Sequence, residues 1–138
     1  MELVQCQKKY WSFIRSLRNK LKEGFIDQSH IKEEEHHSFM EKYHQNYFIC
    51  LDNAEPIGFI GSVRGDIRVA VSKPHQKKGV GKFMLEGFLK KHSDGYATIK
   101  IDNQSSLKLF ESCGFKKKFY ILETNNLEKN NFHRAVKK

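Results

Sequence analysis

The chain has 138 residues, carries 25 Lys and Arg against 16 Asp and Glu for a formal net charge of +9, and is 38% hydrophobic. That length suits a single domain over residues 1–138 with a sizeable core and little room for a second domain. No run reaches the roughly 18–20 apolar residues of a membrane span, and no basic stretch leads into an apolar signal core, so a cytoplasmic protein is expected. Cys6, Cys50 and Cys113 lie far apart with no C-x-x-C pair. Neither a disulfide framework nor a zinc knuckle is indicated, and reduced structural thiols are expected.

The elements follow in chain order. Tyr10, Phe13, Ile14, Leu17 and Leu21 form one helical stripe, predicting a helix over 10–21. Residues 31–43 read as a second helix, with Ser29 as its cap and Glu33 and Glu34 in its first turn. Three strands are predicted at 47–51, 57–63 and 67–71, joined by turns at 52–56 and at Arg64-Gly65-Asp66, as an antiparallel meander. A helix after Gly79 turns Val80, Met84, Leu85 and Phe88 to the sheet. A strand at 96–101, a helix from Asn103 closed by Gly114, and strands at 115–122 and 132–136 complete the chain. No linker, low-complexity tract or internal repeat interrupts this order.

The most informative stretch runs from Val69 to Leu85, a short apolar strand entering a glycine-punctuated basic turn and then an amphipathic helix. A helix start offers unpaired N–H groups and the positive end of a dipole, and glycines at turn positions let backbone approach an anion. The expected ligand is a phosphorylated cofactor. A dinucleotide fingerprint fails because Met84 stands where its third glycine belongs. A nucleotide P-loop fails because Gln76 replaces its first glycine and Phe83 follows Gly81-Lys82. What remains, Gln76-x-x-Gly79-x-Gly81, resembles the pyrophosphate loop of the GNAT superfamily of acyl-coenzyme A dependent N-acetyltransferases. The segment Asn103 to Phe115 resembles that family's second motif, with Asn103, Leu109, Gly114 and Phe115 in place and Ser106 at the small-residue position.

The resemblance implies an α/β fold with a mixed, mostly antiparallel central sheet flanked by helices, in which the strands at 67–71 and 96–101 splay apart around the cofactor, acetyl-CoA. It implies that the Val69-Ala70-Val71 backbone pairs with the pantetheine arm and holds the reaction's oxyanion. The loop headed by Gln76 would seat the pyrophosphate on the amides of Lys78, Gly79, Val80 and Gly81, and Lys77, Lys78 or Lys82 would reach the outer phosphate. Asn103 would bond the arm from the other side, or cap its helix. Phe110, also placed by the resemblance at the cofactor, stands where the family has a proton-donating tyrosine. The thiolate would then leave unassisted or take its proton from water or another side chain, Tyr43 and Tyr120 being candidates.

For the acceptor, Ser16-Leu17-Arg18-Asn19, Ile31-Lys32-Glu33-Glu34-Glu35-His36, Phe39 and Tyr47-Phe48 loosely resemble the subgroup acetylating nucleotide-linked amino sugars. His36 is the expected general base, an imidazole suited to neutral pH, with core packing as its alternative; Glu35 is the second candidate and Asp66 a weaker third. Direct attack of the amine in a ternary complex is implied. Other amines (a polyamine, aminoglycoside, amino acid or protein N-terminus) and a non-catalytic acyl-CoA-binding module are the alternatives. The basic charge favours anionic small ligands, and no nucleic-acid-binding motif accompanies it. No metal spacing is present, and a homodimer through the final strands is a family expectation.

Overall fold

The computed structural model describes residues 1–125. Four strands, β1 (Glu2–Gln5), β2 (Tyr47–Asp52), β3 (Glu55–Val63) and β4 (Asp66–Val71), form one antiparallel sheet in that order. Helices α1 (Trp11–Lys20) and α2 (Glu33–Tyr43) cover one face; α3 (Val80–Lys91) and α4 (Gln104–Ser112) belong to the other. Both hairpins of the meander close through two left-handed residues, Asn53 and Ala54 at φ of 50° and 66°, then Arg64 and Gly65 at 53° and 85°. Such turns match the right-handed twist of the strands they join. The β2–β3 register shifts between Cys50 and Leu51, where the partner is Pro56, a residue with no N–H for the ladder.

Alternation along the strands divides the core in two. Phe48, Cys50, Ile60 and Ile67 meet Val80, Met84, Leu85, Phe88 and Phe110 on the α3/α4 side. Tyr47, Ile49, Phe59, Val63 and Ala70 meet Ile14, Leu17 and Met40 on the α1/α2 side. Each fully buried Phe or Leu contributes roughly 1.5–3 kcal/mol, so both layers are held by the hydrophobic stripes that the sequence presents.

Four expectations are corrected. β1 was not anticipated, because its four residues hold only one apolar pair; Leu3 packs into one layer and Val4 into the other. Helix α2 starts at Glu33 with no side-chain cap, and Ser29 instead closes a turn on Asp27, its N–H 3.0 Å and its hydroxyl 2.6 Å from Oδ1. The strand expected at 96–101 is reduced to one parallel bridge, Tyr96 with Asp66, although Ala97 and Ile99 still pack on the core. Residues 115–122 form no strand, and Phe119, Tyr120 and Leu122 are 88–89% exposed. Local β patterning supplies a face but no hydrogen-bonding neighbour, and pairing decides whether a strand forms. The expected strand at 132–136 lies outside the described residues.

Helix α4 ends as its sequence directs. Gly114 takes φ 91°, its N–H donates to the Glu111 carbonyl at 3.1 Å, and the Phe115 N–H donates to the Phe110 carbonyl at 3.1 Å. This is the two-bond helix stop that a left-handed C′ glycine permits, with its hydrophobic contact made by the Phe110 and Phe115 rings at 5.0 Å, edge to face.

Candidate active site

The site is built on the free edge of β4. Ile67 turns its N–H away from β3 to the Tyr96 carbonyl, and the Tyr96 N–H donates to the Gly65 carbonyl, both at 2.8 Å. The period of two then presents the backbone groups of Val69 and Val71 to that same open side. Gln76 Nε2 already donates to the Val71 carbonyl at 2.9 Å. Ala70, grouped with them in the sequence reading, is placed differently. Its backbone faces Phe59 of β3 and its side chain is buried in the α1/α2 layer, so it offers the edge nothing. Beyond Tyr96 no strand among the described residues lies along this edge, so chain 97–101 and β4 part from a common vertex.

At the far end of β4 the chain curls through Lys77 at φ 63° and Gly79 at φ 81° into α3. A β-carbon on Gly79 would meet nothing within 4 Å, so it is the left-handed conformation that requires glycine there. Gly81 has another role: a β-carbon would come 3.1 Å from Leu109 Cδ2, so this glycine lets α3 press against α4. The start of α3 has no side-chain cap and no acid in its first turn. The contrast with α4 is direct, since Asn103 Oδ1 accepts the Ser106 N–H at 3.2 Å and closes that helix. Orphan N–H groups at α3, the dipole they carry and the exposed Lys77, Lys78 and Lys82 make one electropositive seat at the end of the open β4 edge. These residues fit a ligand with an extended amide-bearing arm and a pyrophosphate.

Two of the motif residues have structural duties. Asn103 is the α4 cap, and its Nδ2 also donates to the Gly24 carbonyl at 3.3 Å, tying the α1–α2 connector to this segment. Phe110 is 3% exposed and packs in the core against Phe115, where it serves the helix stop.

The acceptor-side candidates lie across the sheet. His36 is 6% exposed on α2 and stacks with Phe39 at 6.4 Å between ring centres. Burial first, then the nearby Arg15 and His37, hold its pKa down at about 4. A hollow of about 350 Å³ lined by Trp11, Arg15, Glu33 and His37 reaches it. Glu35 is exposed on the same helix. Of the proton donors weighed, Tyr43 packs against Phe39 at 4.8 Å and Tyr120 is exposed, away from the core.

Nearer the vertex stand residues to which the sequence reading gave little weight. Asp66 and Arg68 share the α1/α2 face of β4, with Arg68 Nη2 3.5 Å from Asp66 Oδ2. The Arg68 guanidinium lies over the Phe39 ring at 5.9 Å. Burial holds the Asp66 carboxyl above the ordinary carboxylate range while Arg68 pulls the other way. The readable signal was the alternation of Asp66, Arg68 and Ala70 with Ile67, Val69 and Val71, which turns two charged side chains toward a covered face.

The chain belongs to the acetyltransferase (GNAT) family, whose family model matches residues 11–115. Membership makes it an acetyl-CoA-dependent N-acetyltransferase. No curated protein sequence matches it. Among solved structures it is similar in fold to a ribosomal-protein-alanine N-acetyltransferase from Brucella melitensis, at TM-score 0.72 and 14% identity, covering 84% of this chain and 85% of that one. A putative acetyltransferase from Salmonella typhimurium, solved with its cofactor acetyl-CoA, is similar at TM-score 0.71 and 19% identity, over 83% and 79% of the two chains. A phosphinothricin acetyltransferase from Sinorhizobium meliloti, in complex with acetyl-CoA, is similar at 0.71 and 18%, over 83% and 74%. The two acceptors that these names specify differ while the fold does not.

Proposed function

We propose that this chain acetylates the primary amine of a nucleotide-linked amino sugar by direct attack in a ternary complex. The observation that carries the transfer is the junction of the open β4 edge with the uncapped start of α3. Val69 and Val71 would hold the pantetheine arm with backbone hydrogen bonds. The N–H groups of Lys78, Gly79, Val80 and Gly81 would hold the pyrophosphate, and Lys77, Lys78 and Lys82 the outer phosphate. Acetyl-CoA supplies an activated acetyl thioester and a thiolate leaving group.

The sugar-nucleotide acceptor is supported by the basic surface and by the Arg18-Asn19 and Ile31 to His36 pattern. Asn19 clamps Ile31 reciprocally, its Nδ2 donating to the Ile31 carbonyl at 3.1 Å and its Oδ1 accepting the Ile31 N–H at 2.9 Å. That clamp fixes the end of the connector that leads into α2. His36, at a pKa of about 4, is a neutral and weak proton acceptor at physiological pH. Asp66, at the vertex with a raised carboxyl pKa, would take the amine proton instead. Thiol release from acetyl-CoA against nucleotide-linked amino sugars, polyamines, aminoglycosides and peptides tests the reading. Turnover with an amino sugar is expected, and turnover confined to another amine overturns this acceptor.

A further inference from the structure

His36 is a buried side chain whose polar atoms neither the core nor the transfer reading accounts for. It is 6% exposed and its ring stacks on Phe39, but among the described residues neither ring nitrogen has a hydrogen-bond partner. The ring is not sealed in, because the hollow of about 350 Å³ between α1 and α2 reaches it. Buried polar groups in folded proteins are almost always paired, so an unpaired imidazole opening onto a hollow calls for a partner from outside the chain.

The walls of that hollow say what kind. Arg15 lines it one helical turn along α1 from Trp11, and its Nε donates to the Ile31 carbonyl at 3.0 Å. That bond braces the guanidinium and leaves its Nη donors for a ligand. Lys8 stands at the rim, its Nζ over the Trp11 ring at 5.9 Å. Trp11 Nε1 is itself buried beside the Cys6 thiol, so the indole gives the hollow a flat wall and no donor, its ring edge to face with His37 at 5.3 Å. Helix α1 also starts here with no acid in its first turn, so the positive end of its dipole adds to the same field. Against these stands the Glu33 carboxylate, which shares the first turn of α2 with Glu34 and Glu35 and answers the dipole of that helix. Glu41 is committed to His37 at 2.9 Å. Lys8 and Arg15 therefore outnumber the one uncommitted carboxylate on the hollow. A braced guanidinium beside a neutral imidazole N–H is a donor set matched by an oxyanion.

We infer that the hollow between α1 and α2 is a binding site for a small oxyanion, the phosphate or carboxylate group of a free metabolite, held by the Arg15 guanidinium and the His36 imidazole, with Trp11 as the wall for the carbon skeleton that bears it. The hollow belongs to the α1/α2 face, whereas α3 packs on the opposite one, so this ligand and acetyl-CoA do not compete for the same donors. The low pKa of His36 fits an empty site: burial and the Arg15 charge disfavour the imidazolium, and an oxyanion beside it would raise that pKa from about 4.

The test is an NMR titration of the His36 ring and Arg15 Nε signals at constant ionic strength, in protein saturated with coenzyme A so that the α3 seat is filled, with inorganic phosphate and acetate as separate probes. At least one probe is expected to shift both signals saturably and to raise the His36 titration midpoint, the first identifying a phosphate and the second a carboxylate. Arg15→Gln should weaken that binding at least tenfold with coenzyme A affinity unchanged. Arg15 also braces Ile31, so Lys8→Gln, which removes an exposed charge, serves as the second variant and should weaken it severalfold. No saturable shift at His36 from either probe overturns the site. Equal binding in Arg15→Gln, or in Lys8→Gln where Arg15→Gln fails to fold, overturns it as well. A probe that displaces coenzyme A without moving His36 overturns it and assigns the anion to the α3 seat. Coenzyme A binding is read in the same samples, so failure of this site is distinguishable from failure of the acetyl-transfer reading.

Discussion

Gly79 and His36 carry the clearest residue-scale consequences. Gly79 needs its left-handed φ of 81° but has open space where a β-carbon would project. Gly79→Ala should therefore lower stability by about 1 kcal/mol, the cost of holding an L-residue left-handed, and change acetyl-CoA affinity little. Gly79→Glu brings a carboxylate to the anion seat, and a loss of at least tenfold in acetyl-CoA affinity by calorimetry is expected; equal affinity would remove the loop from the cofactor site. His36 makes a pH prediction. Its folded pKa of about 4 lies below its unfolded value near 6.5, so the unfolded chain binds a proton that the folded one refuses. Its contribution is complete above about pH 6.5 and is lost as pH falls toward 4, with a slope of at most about 1.4 kcal/mol per pH unit. Melting curves across pH 4 to 8 should show an acid limb that His36→Gln flattens. The same limb in the variant would contradict this origin.

At the scale of elements, α3 and α4 share a packing contact and differ at their starts. Gly81 lies in van der Waals range of Leu109 across the helix pair, so Gly81→Ala should displace the Leu109 side chain and cost about 1 kcal/mol, and Gly81→Leu should cost more. Thermal melts of both check the order. The sequence showed where α3 begins, because Gly79 and the stripe of Val80, Met84, Leu85 and Phe88 mark it without tertiary information. It did not show why Gly81 is glycine, since only the neighbouring helix reveals that crowding. Gly114 was legible as a helix stop, whereas Phe110 as the apolar partner of that stop needed the Phe115 contact. β2 to β4 were legible because turn residues punctuate alternating runs. β1 and the 96–101 segment were not, since four residues carry too little pattern and a strand needs a neighbour that no local pattern names.

At the scale of the whole molecule, the formal charge of +9 sets a field that draws in anions, and within it the loop into α3 and its first turn collect Lys77, Lys78 and Lys82. Replacing all three with alanine should weaken acetyl-CoA binding severalfold at low salt and flatten its dependence on ionic strength, since these charges are exposed and screened. Calorimetry between 20 and 500 mM salt, both of them experimental settings on the order of the Debye-screening range, would register that change. Among the described residues no helix is long and apolar enough to cross a membrane. The central claim is that the open edge of β4 and the start of α3 are one seat for acetyl-CoA. The most direct measurement is an NMR titration of amide resonances with acetyl-CoA. The largest shifts should fall at Val69, Val71 and Lys78 to Lys82, with the α2 amides around His36 little changed. Shifts centred on α2 and the hollow beside Trp11, with the α3 start unmoved, would contradict the account.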